Sequence, residues 1–345
     1  MTVTYKKETA MQRLPLPVIA LIGTGGTIAA TAASSTEVTD YTVTEPVNAL
    51  LHAVPQITAV ASIRAQQAFN VDSREITSAM LLRLARLVRR TLAQSDIDGV
   101  VIMHGTDTLE ETAYFLSLVV QSEKPVVLVG AMRPSSAISA DGPLNLLNAV
   151  LVATTPAARG MGVVVTLNDE IHAARYVSKA NTTRLDAFSS GNQGALGAIH
   201  NGIVQFDQLP ARGWPLAGSP DGGFDLTGLR QLPRVDILYD HQDAGRHLYE
   251  ASIKAGVQGL VVAACGDGGL TPKAVQGLRL AAKHGIVCVR ASRTGSGIVS
   301  GALHDTRYNW VSANSLNPQK ARILLMLALT RTTDRRTIQA WFDHR

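Results

Sequence analysis

The sequence predicts an α/β protein: a larger N-terminal domain on a doubly wound, mostly parallel sheet, followed by a smaller C-terminal α/β domain. Three observations predict it. Short β-branched apolar runs alternate with longer segments of helical periodicity, the rhythm of a parallel sheet covered by helices. That rhythm breaks once, over residues 208–232, where Pro210, Gly213, Pro215, Gly218, Pro220, Gly222 and Gly223 cluster. Such a density of Pro and Gly reads as a linker. The length of 345 residues then suits two domains of ordinary size. The expected organisation is a disordered tail over residues 1–17, a first domain over 18–207, a linker over 208–228 and a second domain over 229–345.

The elements follow in order. Residues 18–22, Val-Ile-Ala-Leu-Ile, are too few and too β-branched for a helix and read as a buried strand ending in Gly23-Thr24-Gly25-Gly26-Thr27. A helix is expected over 76–92, because Leu81, Leu82, Leu84, Leu87 and Val88 segregate from Arg83, Arg86, Arg89 and Arg90 at helical spacing. A strand over 100–103 ends in His104-Gly105-Thr106-Asp107, and a helix over 109–120 follows. Next come a strand over 126–129, a helix over 144–152 started by the turn Asp141-Gly142-Pro143, and a strand over 163–167. Beyond the linker, strands over 235–239, 260–264 and 286–289 alternate with helices over 245–255 and 272–283. Thr271-Pro272 supplies the N-cap and first-turn pair of the latter. A helix over 321–330 is expected to close the chain.

Composition removes several classes. With 46% hydrophobic and 17% charged residues the chain is that of a packed globular enzyme, not a disordered one. No apolar stretch reaches the length of a membrane span. The first seventeen residues carry Lys6, Lys7, Glu8 and Arg13 without an apolar core, which argues against a signal peptide and leads to the expectation of a cytoplasmic protein. Cys265 and Cys288, each in or beside an apolar run, are expected to be buried and reduced. The net charge of +5 raises the question of nucleic acid. The arginine-rich helix lacks the interleaved aromatic residues of a stacking platform, so its charged face is expected to lie in water. His172, His200, His241 and His247 form no pair at a metal-binding offset; His241-Gln242-Asp243 comes nearest, and no metal is expected.

Two strands ending in threonine-bearing glycine loops look like halves of one site, because open parallel sheets bind ligands at the carboxyl ends of their strands. The loop at Gly23 is not a dinucleotide fingerprint, since its sixth position is Ile28 where glycine is required. Hydrolysis of an unactivated amide would need a nucleophile, a proton shuttle and oxyanion donors. Thr27 offers a hydroxyl behind two glycines that permit tight turns and close approach. Thr106 offers a second hydroxyl, Asp107 a carboxylate, and Lys179 an amine able to act as base if burial lowers its pKa. Tyr41, in a polar segment, offers a phenol. Each has a plainer reading as well: turn residues for the threonines, a surface lysine, a packing tyrosine. His104 reads as a core histidine satisfied by neighbouring groups. On residue chemistry alone, nucleophile and turn residue are even readings of Thr27.

The motifs break the tie. Ile22-Gly23-Thr24-Gly25-Gly26-Thr27-Ile28-Ala29 and the run from Gly99 to Ala113 through His104-Gly105-Thr106-Asp107-Thr108-Leu109-Glu110-Glu111 resemble the two signature segments of the bacterial-type, type II-like L-asparaginase family. Supporting matches are Ser178-Lys179-Ala180-Asn181-Thr182-Thr183, Val129-Gly130-Ala131-Met132-Arg133-Pro134, Ser139-Ala140-Asp141-Gly142-Pro143 with Asn145, and Ser315-Leu316-Asn317-Pro318. The resemblance runs from about Val18 to Phe342. It implies hydrolysis of L-asparagine to L-aspartate and ammonia through an acyl-enzyme. Thr27 would be the attacking threonine and Tyr41 the lid tyrosine. Thr106, Asp107 and Lys179 would form a second catalytic group. Gly26, Ser73, Gly105, Thr106, Asp107 and Ala131 would line the substrate, Ser73 on its α-carboxylate and Asp107 on its α-ammonium. The resemblance further implies a homotetramer of intimate dimers, each site completed by a neighbour's C-terminal domain, with no cofactor, metal, nucleic acid or membrane partner.

The departures are as specific. Arg74 follows Ser73 where better-known members carry Gln or Glu facing the ammonium. A cation there repels an ammonium, so Arg74 is expected to turn outward or to meet a compensating acid. In Cys265-Gly266-Asp267-Gly268-Gly269, Gly269 replaces the later Asn. Ala302 falls where the Glu beside the lid tyrosine belongs, which leaves Asp305 as a candidate substitute. A mixed glutaminase–asparaginase is the alternative within the class. A catalytically silent amino-acid-binding protein and, more distantly, an NAD-dependent oxidoreductase are the alternatives outside it.

Overall fold

A computed structural model describes residues 15–37, 41–210 and 223–344. The larger sheet has eight strands. In spatial order they are Ile203–Phe206, Gly197–His200, Glu170–Ala173, Val163–Leu167, Val126–Val129, Gly99–Met103, Val18–Gly25 and Ser62–Val71. The last five in this order pair in parallel, and the first three join antiparallel at one edge. The smaller sheet is wholly parallel, in the order Val235–Tyr239, Gly259–Ala264, Val287–Ser292 and Trp310–Ser312.

The period-two alternation of a strand divides the side chains of Val18–Gly25 between two cores. Ile19 and Leu21 join Val101, Met103, Val127 and Val129 on one face, under helix Gly142–Thr154. Ala20 and Ile22 join Val100, Ile102 and Leu128 on the other, under Ser78–Leu92 and Leu109–Val119. This second core does not end at the domain. It runs through helix Pro318–Ala328 to Val261, Val289 and Val311 of the smaller sheet. Ile323, Leu324, Leu325, Met326 and Leu327 of that helix are all buried, each worth about 1.5–3 kcal/mol in removed apolar surface.

Several expectations shift. The arginine-rich helix begins at Ser78 and not at residue 76, because the Thr77 hydroxyl accepts from the Met80 N–H as N-cap. Its charged face is not left wholly to water: Arg86 donates to the Leu229 carbonyl and Arg89 lies 3.7 Å from Asp225, so the helix holds the end of the linker and the residue that follows it. The helix expected over 321–330 starts at Pro318 behind the N-cap Asn317 and does not close the chain, since Arg335–His344 follows. The helix expected over 245–255 is the shorter His247–Lys254. Cys288 is buried, and burial pushes its thiol up to about 12, whereas Cys265 is only half-buried; both are free. Residues 1–14 of the expected tail and 211–222 of the expected linker lie outside the described residues.

Candidate active site

Adjacent parallel strands bring their carboxyl ends into line, Gly23 opposite Met103 and Met103 opposite Val129. Beyond those ends the chain must turn sharply. Gly25 and Gly26 take φ of 100° and 83°, conformations that L side chains rarely adopt. A Cβ on Gly26 would stand 2.1 Å from the Gly105 Cα, and one on Gly105 would stand 2.8 Å from the Ser73 Cβ. The loops after Val18–Gly25, Gly99–Met103 and Ser62–Val71 therefore meet backbone to backbone.

Thr27, buried in the short 3-10 turn Thr27–Ala29, is presented beside this contact. Its Oγ1 lies 2.7 Å from the Tyr41 hydroxyl, either of which can donate. Tyr41 reaches it from the strand Tyr41–Val43, which pairs antiparallel with Ala30–Ala32. Opposite, Lys179 Nζ donates to Thr106 Oγ1 at 2.9 Å and to Asp107 Oδ1 at 2.6 Å. Two hydroxyls thus each have a proton partner of their own. Thr27, Tyr41, Thr106, Asp107 and Lys179 line one cavity of about 170 Å³. Arg74, Met132, Thr182 and Thr183 complete the lining.

Arg74 is at the rim with its side chain 72% exposed. It forms a bidentate pair with Asp72, Nε and Nη2 each 2.9 Å from a carboxylate oxygen, and Nε lies 3.8 Å from Asp107 Oδ2. The guanidinium holds the Asp72 carboxyl below the usual carboxylate range. Both expected resolutions of the Arg74 problem are thus present, outward exposure and a compensating acid.

Ser73 is buried beside Gly105, and its carbonyl accepts from Thr108 Oγ1 at 2.9 Å. Ala131 is fully buried at the end of Val126–Val129. The motif around it has a visible cause: the Asp141 carboxylate accepts from the backbone N–H of Met132 and Arg133 and from Asn145 Nδ2, and Asn145 also donates to the Gly130 carbonyl. That clamp shapes the loop carrying Met132.

His104 is fully buried, and burial lowers its pKa to about 4. Its Nδ1 faces the Gly105 carbonyl at 2.7 Å, so Nδ1 carries the proton and Nε2 accepts from Thr112 Oγ1 at 2.8 Å. It is a core histidine. His172 is also buried, its Nδ1 3.0 Å from Ser190 Oγ. Among the described residues no group of three or more His, Cys, Asp or Glu could hold a metal ion. No helix there is long and apolar enough to cross a membrane.

Asp305 is not available as a substitute acid. It is buried, pairs with Arg290 through both oxygens at 2.7 and 2.5 Å, and accepts from the Ala302 N–H at 2.7 Å. Asp267 is likewise engaged, with the backbone and hydroxyl of Ser300 at 2.7 and 2.6 Å.

Sequence reasoning had no role for Met132, Thr182 and Thr183. All three lie inside motifs it had quoted, a signal pointing to the neighbourhood without naming the side chains that face the cavity.

Comparisons with known proteins give the family. Residues 18–212 match the family described as "Asparaginase, N-terminal", and residues 234–342 match "Glutaminase/Asparaginase C-terminal domain". The chain is 46% identical to L-asparaginase 2 of Bacillus subtilis (strain 168), over 99% of this chain and 90% of that protein. It is 43% identical to L-asparaginase 2 of Escherichia coli (strain K12), over 96% and 94%. A crystal structure of a probable cytoplasmic L-asparaginase from Campylobacter jejuni superposes with a TM-score of 0.92 at 44% identity, covering 95% of this chain and all of that one. Matched in both halves and along nearly its whole length, the chain belongs to the bacterial-type asparaginase family.

Proposed function

We propose that the protein is an L-asparagine amidohydrolase that releases L-aspartate and ammonia. The observation that carries the reading is the convergence of two hydroxyl relays, Thr27 with Tyr41 and Thr106 with Lys179 and Asp107, on one small cavity in a member of this family. Thr27 Oγ attacks the side-chain amide carbonyl as its proton passes to the Tyr41 oxygen, which hands its own phenolic hydrogen on to the amide nitrogen. The C–N bond breaks, the nitrogen leaves protonated as ammonia, and water then cleaves the threonyl ester to give aspartate and free Thr27. Lys179 and Asp107 hold the Thr106 hydroxyl for the second half of this proton traffic. Asp107 takes the substrate α-ammonium; Ser73, expected on the α-carboxylate, and Gly26, Gly105 and Ala131, expected as walls, do not line the 170 Å³ cavity, and the reading places them directly behind its lining.

The same reading assigns catalysis to residues 18–207 and the roofing of a neighbouring subunit's site to residues 229–345, within a tetramer of intimate dimers. It places the protein in the cytoplasm, where two free cysteines stay reduced. The description of the matched C-terminal family names glutaminase beside asparaginase, so hydrolysis of glutamine is the second reading.

The test is ammonia release from asparagine and glutamine by the parent, Thr27→Ala and Thr106→Ala. Each substitution is expected to lower turnover by about 10³-fold or more with the fold intact, since loss of an activated nucleophile or its partner removes most of the acceleration. A Thr27→Ala enzyme within tenfold of the parent would end the assignment of the nucleophile. Asparagine bound but never hydrolysed by the parent would leave a silent binding protein.

A further inference from the structure

The motif Ser315-Leu316-Asn317-Pro318 has no part in the cavity, yet it leads directly to the amine. Glu110, in the first turn of helix Leu109–Val119, is 4% exposed and does not line the 170 Å³ cavity. Its Oε2 accepts from Ser178 Oγ at 2.6 Å and from the Lys179 N–H at 2.7 Å. Its Oε1 accepts from Asn317 Nδ2 at 2.8 Å. Asn317 is the N-cap of Pro318–Ala328, and its Oδ1 accepts from the Lys320 N–H at 3.0 Å. Lys320, 2% exposed, donates Nζ to the carbonyls of Arg175 (2.9 Å) and Val177. The stretch from Arg175 to Lys179 is held at four points by two buried charges, Glu110 and Lys320, from one helix in each sheet domain, and the Asn317 amide braces the first of them.

We propose that Glu110, braced by Asn317 and Lys320, is the positioning residue of Lys179, and that the N-terminus of helix Pro318–Ala328 thereby serves the site of its own chain. The inference rests on the role given to Lys179 above. A lysine stem has four rotatable bonds, so where Nζ comes to rest depends on where the backbone starts. The contacts of 2.9 and 2.6 Å to Thr106 and Asp107 hold only while the Lys179 backbone is fixed. A misplacement of about 1 Å is enough to cost on the order of 10²-fold in rate. Three donors converge on the two oxygens of Glu110, a set that a carboxyl group accepts and a side-chain amide, with N–H groups of its own, does not. Its charge also opposes that of the buried Lys320 ammonium, and the first turn of a helix favours an anion. The economy lies in the spacing. Thr106, Asp107 and Glu110 leave one strand end within five residues, so the hydroxyl, the carboxylate and the clamp for the amine share one rigid origin.

The test uses the full chain with asparagine. Glu110→Gln keeps the side-chain size but turns an N–H against the converging donors. Asn317→Ala and Ser178→Ala each remove one donor and keep the question open to measurement should Glu110→Gln fail to fold. The expected result for folded Glu110→Gln is a kcat lower by about 30-fold with KM within about 3-fold, and smaller losses of the same kind in the other two. The 13Cε signal of Lys179, assigned with Lys179→Met, is expected to leave its parental position as the contacts to Thr106 and Asp107 are lost. A purely structural Glu110 would lower the melting temperature and leave both kcat per folded site and the Lys179 13Cε signal at parental values; that result overturns the proposal. If the parent is active and Lys179→Met is not, parental behaviour in all three variants removes the positioning inference alone. If the parent releases no ammonia, the amidohydrolase reading fails, and the 13Cε signal still decides whether Glu110 sets the environment of Lys179.

Discussion

Arg74 illustrates how a side chain is decided by its nearest partner. Placed alone beside a substrate ammonium, its charge would be repulsive by about 1–4 kcal/mol at 4 Å under surface-like screening. The bidentate pair with Asp72 turns the guanidinium to the rim instead. Arg74→Gln is therefore expected to change asparagine KM by no more than about 3-fold, the scale of a screened surface pair. A tenfold gain in asparagine affinity would show that the guanidinium opposes the ammonium directly. Asp107 is affected too, since Lys179 and Arg74 approach its two oxygens from different sides at 2.6 and 3.8 Å. That leaves the carboxylate oriented before substrate arrives, and it makes discrimination against the longer glutamine a measurable companion of the same variant. Residue chemistry alone leaves nucleophile and turn residue even for Thr27, and the family motifs break that tie within the sequence. What the sequence does not carry is which groups touch, because Lys179 reaches Thr106 across 73 positions of chain.

At the scale of elements, His104 couples a strand end to a helix. It donates to the carbonyl of the neighbouring Gly105 in the loop and accepts from Thr112 on Leu109–Val119, and the second of these bonds requires the neutral ring. Its folded pKa of about 4 lies below the ordinary value near 6.5, so the unfolded chain takes up the proton first as pH falls. The stability it contributes is fully present above pH 6.5 and is lost as pH drops toward 4, with about 2 kcal/mol gone by pH 5. Denaturant unfolding at pH 7 and pH 5, together with the imidazole Cε1–H titration, checks this. A folded-state midpoint near 6.5 would refute it. The strands of the buried centre were legible because burial on both faces gives continuous apolar runs. Ser62–Val71 was not, since Arg64, Gln66, Gln67 and Asn70 obscure any period in an edge strand. Two hairpins were missed although their turns are written in the chain: Asn168 and Asp169 join Val163–Leu167 to Glu170–Ala173, and Asn201 and Gly202 join Gly197–His200 to Ile203–Phe206. All four take positive φ, the type I′ geometry such pairs favour.

For the whole molecule, the division into two sheets was readable from the break in rhythm, but the joint between them was not. A helix with apolar residues on more than one face, Pro318–Ala328, looks like any buried helix until its neighbours are known. It packs between the two sheets and closes the second core against both. A consequence follows for heating. Among the described residues one continuous apolar core joins both sheets through this helix, so neither domain can come loose without opening the packing of the other, and the chain should melt as one cooperative unit. Scanning calorimetry is then expected to record a single transition, with loss of ammonia release tracking it degree for degree. Activity that fades well below that transition would mean instead that the helix can leave its neighbours while the larger sheet stays whole.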